Sequence, residues 1–288
     1  MRKLLFVFIS VACLFFSCSE KSKELFYVDI VDPLDGGVGI KMVAIPGGTF
    51  QMGSKLMPPF YTITLGSGEL YTIYNRERPV HPVTLDPFKL STTEITQEQY
   101  KTVMGVNPAK FQTGELNMPV DQVTWEEAVI FCNKLSKVTG LDTCYSLETW
   151  ECDFTRNGFR LPTEAEWEYA YRAGLNLEYL SGNDTRNLER SAWYISNSSL
   201  STHPVASLDP NAAGLYDMAG NVWEWCNDYF GLYNCNSEVN PIGPPIGYYR
   251  VMRGGSWASA ADECRAANRK TWESQRKYFA VGFRVARR

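Results

Sequence analysis

Leu215-Tyr216-Asp217-Met218-Ala219-Gly220-Asn221-Val222-Trp223-Glu224-Trp225 is the most specific string in the chain, and it lies where regular periodicity has run out. From residue 175 onward Gly, Asn, Asp, Ser and Pro recur at short intervals, so turns replace long helices and strands. A large domain with so much irregular backbone needs something besides hydrogen-bonded ladders to fix it. Buried aromatics, bound cations and disulfides are the usual means. Trp193, Trp223, Trp225, Trp257 and Trp272 supply the first.

Downstream, Arg253-Gly254-Gly255-Ser256-Trp257 reads as a turn-bounded start and Val281-Gly282-Phe283-Arg284-Val285 as a final strand. The residues between them follow neither a helical nor a strand period. A fixed frame around an irregular, polar-aromatic insert is how binding surfaces are built, because loops vary while the scaffold holds. A plain surface loop closing the core is the alternative.

Upstream, Met42–Ile45 runs into Pro46-Gly47-Gly48 as strand and turn, and Thr49–Gly53 and Phe88–Ser91 read as further strands. Residues 54–78 read as a surface excursion, with Tyr61–Leu65 and Leu70–Tyr74 as a hairpin. Three helix starts share one layout: Thr96 with Gln99, Thr124 with Glu127, and Thr163 with Glu166. Each is a capping box, and stops are expected near Gly105, Gly140 and Gly174. Ala128, Phe131, Cys132 and Leu135 share a core-facing stripe, which makes Cys132 packing rather than chemistry. In the third helix Trp167 and Ala170 face inward, and Glu164, Glu166 and Glu168 are read as outward or capping.

With 44% hydrophobic and 14% aromatic residues the chain can build a sizeable core. A formal charge of −4 without basic clusters gives no case for nucleic acid as a partner. The N-terminus reads as an export signal, Arg2 and Lys3 followed by an apolar Leu4–Phe16 too short to span a bilayer. Ser17-Cys18 at its end resembles a lipobox, so cleavage would leave Cys18 for lipidation; an ordinary secretory signal is the alternative. The expected layout is signal 1–17, tether 18–40 with one added strand, and a single domain 41–288 whose binding region is 250–288. Loss of Arg2 and Lys3 takes the charge from −4 to −6. Beyond Cys13 and Cys18 six cysteines remain. Connectivity is not readable, although Cys144 and Cys152 bracket a hairpin where a local bridge would fit. No C-x-x-C occurs and the only histidines are His81 and His203, which removes zinc hydrolases and histidine triads.

Four strings occur in order: Phe159–Glu168, Leu215–Trp225, Arg253–Trp257 and Gly282–Arg284. Together they resemble the formylglycine-generating-enzyme or sulfatase-modifying-factor family, in register from about Val43 to Arg287. That resemblance implies an α+β, C-type-lectin-like fold: a small twisted antiparallel sheet, two to three helices and much irregular structure. The family's enzymes oxidise a substrate cysteine with copper held by two cysteines. Here the first position is Ser259 and only the second, Cys264, is a thiol, so the resemblance implies a scaffold without copper and no enzyme. The related iron enzymes need three histidines, which this chain lacks.

The family's cation site falls on the opening string, as the Asp217 carboxylate, the Gly220 and Val222 carbonyls and the Glu224 carboxylate. The resemblance thus implies a structural calcium, with water completing roughly six to eight oxygen ligands; plain turn hydrogen bonds by Asp217 and Glu224 are the alternative. A second family site would need acids after Asn197, and Ser198–His203 lacks them.

The C-terminal stretch is similar to the variable proteins of diversity-generating retroelements, of the Treponema variable protein type. Those proteins display a hypervariable binding site on the same fold, rewritten at adenine-rich codons. The resemblance implies ligand contacts at Ala258, Ser259, Ala260, Asp262, Glu263, Lys270, Thr271, Trp272, Lys277, Tyr278 and Phe279. Trp272, Tyr278 and Phe279 would be anchors, with Asp262, Glu263, Lys270 and Lys277 giving polar specificity. The fixed frame would be Trp257, Ala261, Cys264, Arg265, Ala267, Arg269 and Arg276. The expected protein is a monomeric, non-catalytic lipoprotein exposed on a bacterial outer membrane, binding a protein or other cell-surface ligand. A non-variable structural envelope lipoprotein and a cysteine-oxidising enzyme are the alternatives.

Overall fold

Each of the three threonines starts a helix as its sequence dictates. The computed structural model describes residues 28–31, 39–56, 60–64, 70–74, 76–115 and 117–288. The signal segment, Cys18 and most of the tether lie outside these residues. In chain order the elements are β1 (Val28–Val31), β2 (Ile40–Ile45), β3 (Gly48–Met52), β4 (Phe60–Thr64), β5 (Leu70–Tyr74), β6 (His81–Leu85) and β7 (Phe88–Ser91). Helices α1 (Gln97–Met104), α2 (Trp125–Val138) and α3 (Glu164–Arg172) follow. The rest is β8 (Ala192–Trp193), β9 (Ala219–Gly220), β10 (Trp223–Tyr229), β11 (Glu238–Val239), β12 (Tyr249–Arg253), β13 (Lys270–Glu273), β14 (Val281–Gly282) and β15 (Ala286–Arg287).

All three capping boxes close in both directions. Thr163 Oγ1 accepts the Glu166 N–H at 3.1 Å while Glu166 accepts the Thr163 N–H at 2.8 Å, and Thr96–Gln99 and Thr124–Glu127 do the same. Helix α1 ends on Gly105 at φ 82, whereas α3 is capped one residue early by Ala173 at φ 46.

The expected antiparallel sheet is divided into several. One sheet runs β1-β2-β7-β15, so the tether does add a strand; another runs β13-β12-β10-β14. A third is β11-β6-β3, and β4 and β5 form the expected hairpin. Three pairings, β10–β14, β6–β11 and β8–β9, are parallel, each two residues long. Ladders this short follow from the turn residues that interrupt the C-terminal half. The β13-β12-β10-β14 sheet separates two apolar layers. Trp225 and Met252 pack with α1 and α2 on one side, and Cys226 and Val251 pack with α3 on the other.

The reading of Glu164 and Glu168 as outward is corrected here. Both are buried, Glu168 at 0% exposure. Glu168 accepts from Arg172 at 2.8 and 2.9 Å and is ion-paired with Arg253, and Glu164 takes a two-toothed bond from Arg269 at 2.6 Å on each oxygen. Glu166 caps its helix and also pairs with Arg160 at 2.6 and 2.7 Å. Arg265–Glu77 and Arg284–Glu224 repeat the forked geometry at 2.6–2.7 Å. In these pairs a guanidinium shares the carboxylate's hydrogen bonds and offsets the cost of burying its charge. The irregular half of the chain is pinned by these pairs as well as by aromatics.

The six cysteines among the described residues are free thiols. Residues 144–153 form the expected hairpin, closed by Asp153 N–H to Cys144 O at 2.8 Å. The Cys144 and Cys152 thiols meet across it, and the hydrogen bond from Cys152 pulls the Cys144 pKa down.

Candidate functional site

The C-terminal segment builds an aromatic ladder. Gly254 (φ 97) and Gly255 (φ 81) turn the chain out of β12; a Cβ on Gly255 would lie 2.8 Å from Cys264 Sγ. The turn delivers Trp257, whose N–H donates to Asn221 O at 2.8 Å and whose carbonyl accepts from Ser198 Oγ at 2.7 Å. From there rings continue outward: Phe111–Trp257 at 5.4 Å, Trp257–Phe279 at 5.5 Å, Phe279–Tyr278 at 4.6 Å and Tyr278–Trp272 at 4.9 Å. The Lys110 ammonium sits 4.8, 5.1 and 5.3 Å from the centroids of Phe111, Trp257 and Phe279. Lys270 lies 5.0 Å from the Trp223 ring and 5.6 Å from that of Tyr278. Ring faces are electron-rich, so each ammonium is held there without a carboxylate cancelling it fully.

Several polar atoms near this surface are buried without a hydrogen-bond partner among the described residues: Trp257 Nε1, Trp272 Nε1 and Asp121 Oδ2. Asp121 Oδ1 accepts the Lys110 N–H at 2.6 Å. Burial raises the Asp121 pKa to about 6 against the opposing pull of Lys110.

Of the residues expected to touch ligand, Trp272, Tyr278, Phe279, Lys270 and Lys277 do gather around the ladder. Lys270 pairs with Glu263 at 3.3 Å and Lys277 with Glu127 at 3.2 Å. Ala260 and Asp262 are exposed and Ala258 half-buried along the turn that follows Trp257. Two residues depart. Ser259 is 2% exposed, its Oγ 3.3 Å from Ser256 Oγ, and presents no side chain outward. Thr271 lies on the opposite face of β13 from Lys270 and Trp272, because neighbours on a strand alternate, and its Oγ1 accepts from Arg76 at 3.3 Å. In the expected frame Arg265 and Arg269 are buried, whereas Arg276 is exposed and pairs with Glu273 at 2.7 Å. Sequence reasoning missed Lys110 and Phe111, which come from the loop after α1 and carry no periodic signal.

Where an oxidase would place two thiolates, Ser259 offers a buried hydroxyl. Cys264 is fully buried, donates to Ala260 O at 3.8 Å, and has its thiol pKa pushed up by burial and then by Glu263 and Asp262.

The opening string holds a buried acidic group, but its carboxylates do not fit the calcium set expected of them. Glu224 uses both oxygens on Arg284 at 2.6 Å and one also on Trp167 Nε1 at 2.7 Å. Asp217 Oδ2 accepts the Ala206 N–H at 2.8 Å, and burial raises its pKa to about 6. Glu94 accepts from Val222 N at 3.0 Å and Asn221 Nδ2 at 2.8 Å; its pKa is raised by burial first, then by Asp217 and Glu224. Arg284 already supplies a positive charge to Glu224.

A family model described as the sulfatase-modifying factor enzyme 1-like domain matches residues 37–288. The chain belongs to that family. Among solved structures, Treponema denticola variable protein 1 superposes on this family member with a TM-score of 0.79 and 33% identity, covering 91% of this chain and 99% of that one. The shared architecture is the C-type-lectin-like one. The formylglycine-generating enzyme of Streptomyces coelicolor is 30% identical over 310 residues, covering 85% of this chain and 88% of the enzyme. Serine/threonine-protein kinase Pkn1 of Chlamydia trachomatis is 31% identical over 276 residues, 86% of this chain; the chain spans 38% of that kinase's length. The sulfatase-modifying-factor family thus includes both a named enzyme and a named variable protein at comparable distance from this chain.

Proposed function

We propose that this chain binds a ligand non-covalently through the ladder Phe111–Trp257–Phe279–Tyr278–Trp272, with the lysines around it giving polar selectivity, and catalyses nothing. The observation that carries the reading is the ladder itself, an aromatic surface edged by Lys110 and Lys270 and backed by buried indole N–H groups without partners. Trp257 is buried, Phe111, Trp272 and Tyr278 are half-buried and Phe279 is exposed, and partly exposed aromatic side chains on a packed base concentrate binding energy. Ser259 and the inert Cys264 support the absence of copper chemistry. The likeness to a variable protein supports diversification of 258–280 by a retroelement, and the N-terminal pattern supports an envelope lipoprotein anchored at Cys18.

Comparison of isolates tests the first part. Positions 260, 262, 263, 270, 272 and 277–279 should differ between strains while Trp257, Arg265 and Arg269 stay fixed, beside a template repeat and a reverse transcriptase gene. Uniform residues at all of these would overturn it. Copper-dependent oxidation of a cysteine peptide would overturn the non-catalytic reading. Cys18→Ala should move the protein from the membrane to the soluble fraction.

A further inference from the structure

A cavity of about 460 Å³ opens between α3 and the 229–244 loop, away from the ladder. The two are divided by β13: Lys270 and Trp272 face the ladder, whereas Arg269, one residue before, reaches the cavity wall. A volume of that order is usual for small-molecule sites, which run roughly 300–1,000 Å³.

Its charged lining is lopsided. Glu164, Asp228 and Glu238 stand against Arg269, which is already committed to Glu164 by two bonds of 2.6 Å. Asp228 is 3% exposed and accepts the Glu164 N–H at 2.9 Å through Oδ2. Tyr233 Oη is buried without a hydrogen-bond partner among the described residues. The ring of His81 lies 4.8 Å from that of Tyr233, tilted by 57°; its Nδ1 lies 3.0 Å from Pro79 O, which leaves Nε2 as acceptor in the neutral ring. Around the mouth, Leu232, Val239 and Ile242 are exposed apolar side chains. Of the two carboxylates left without a cation, Glu238 is half-buried and accepts from Asn234 Nδ2 at 2.8 Å, whereas Asp228 is the buried one. An ammonium has three donors and one charge, which matches the Asp228 carboxylate, one unpaired hydroxyl and one imidazole nitrogen lining the same space.

We propose that this cavity is a second ligand site that takes a primary amine on an apolar stem, with Asp228 as its counter-ion and Leu232, Val239 and Ile242 covering the stem. The groups that set the charge of Asp228 are Glu164 and Glu166 of α3, Arg269 just before β13, and its strand neighbours Cys226 and Arg250. Burial first, and Glu164 next, raise its pKa to about 8. Amine and proton therefore compete for one carboxylate. By linkage, affinity for the amine rises about tenfold from pH 7 to pH 9, and about 0.9 proton is released per amine bound at pH 7.

The test titrates the full-length mature protein with n-hexylamine, n-hexanol and hexanoate, followed by NMR shifts and by calorimetry in buffers of different ionisation enthalpy. Hexylamine should bind saturably at least tenfold tighter than hexanol, with the stated pH dependence and proton release, and hexanoate should not bind. Asp228→Asn should cost hexylamine at least tenfold and leave hexanol unchanged; Ile242→Trp, on the exposed rim, should block both. Equal binding of amine and alcohol, or amine binding independent of pH, would overturn the proposal even if the Asp228 variant failed to fold. Phe279→Ala should leave amine binding intact, so failure at the ladder and failure here are separable.

Discussion

Glu168→Gln tests whether buried ion pairs hold the irregular half of the domain in place. The substitution keeps the shape of the side chain and removes its charge. It leaves Arg172 and Arg253 facing a neutral amide in a site with no solvent exposure. Arg253 keeps a weaker partner in Glu164 at 3.7 Å, so part of its charge stays compensated. Removing one member of a buried pair costs roughly 3–5 kcal/mol. For a domain of this size that is a fall in Tm of roughly 10 °C. The pH dependence has a definite sign. Burial opposes ionisation of Glu168, but Arg172 and Arg253 outweigh it and hold its pKa below the ordinary carboxylate value. Its stabilisation is therefore present above the unfolded pKa and lost as pH falls through the folded one. The gap between wild type and variant should be widest near neutral pH and close in acid, as read by thermal and urea unfolding with circular dichroism. A Tm change under about 2 °C at pH 7 would refute the pinning argument.

Other outcomes follow from single features. Calcium or EDTA should shift Tm by less than about 2 °C, because Arg284 already saturates Glu224; a large calcium-dependent gain in differential scanning would restore the cation site. Asp228 has a folded pKa above its unfolded one, so stability falls as pH rises from about 4 to 8, and Asp228→Asn should flatten that slope in urea titrations across pH. Phe279, 40% exposed, should cost under about 1 kcal/mol on truncation to Ala while ligand capture is lost; equal loss of folding would make it a core residue. Oxidation by diamide should remove Cys144 and Cys152 from alkylation together, read by peptide mass spectrometry, with Cys235 alone still labelled from the exposed surface.

The parts of the fold that sequence conveys are those whose partners lie close along the chain. Thr163 and Glu166 are three residues apart, and the hairpin around Cys144 and Cys152 spans ten. The pairs that fix the core are separated by 85 residues for Arg253–Glu168, 105 for Arg269–Glu164 and 188 for Arg265–Glu77. No local pattern distinguishes such a glutamate from a solvated one, which is why Glu164 and Glu168 were expected outside. At the candidate site the sequence placed Trp272, Tyr278 and Phe279 in one insert, and their rings do lie together in the fold. Lys110 and Phe111 were not legible, since their loop meets Trp257 only in the folded chain. Thr271 was misplaced because the insert was read as irregular, when its centre is a strand with two faces.

That strand also limits how the surface can change. Between Arg269, clamped to Glu164, and Gly282, whose Cβ position lies 2.2 Å from the Val120 carbonyl, the chain is fastened at both ends. Substitution along β13 alters what is shown outward. Deleting one residue after Arg269 instead would turn Trp272 inward and Thr271 outward. The surface can be rewritten letter by letter, but its length is not free to vary.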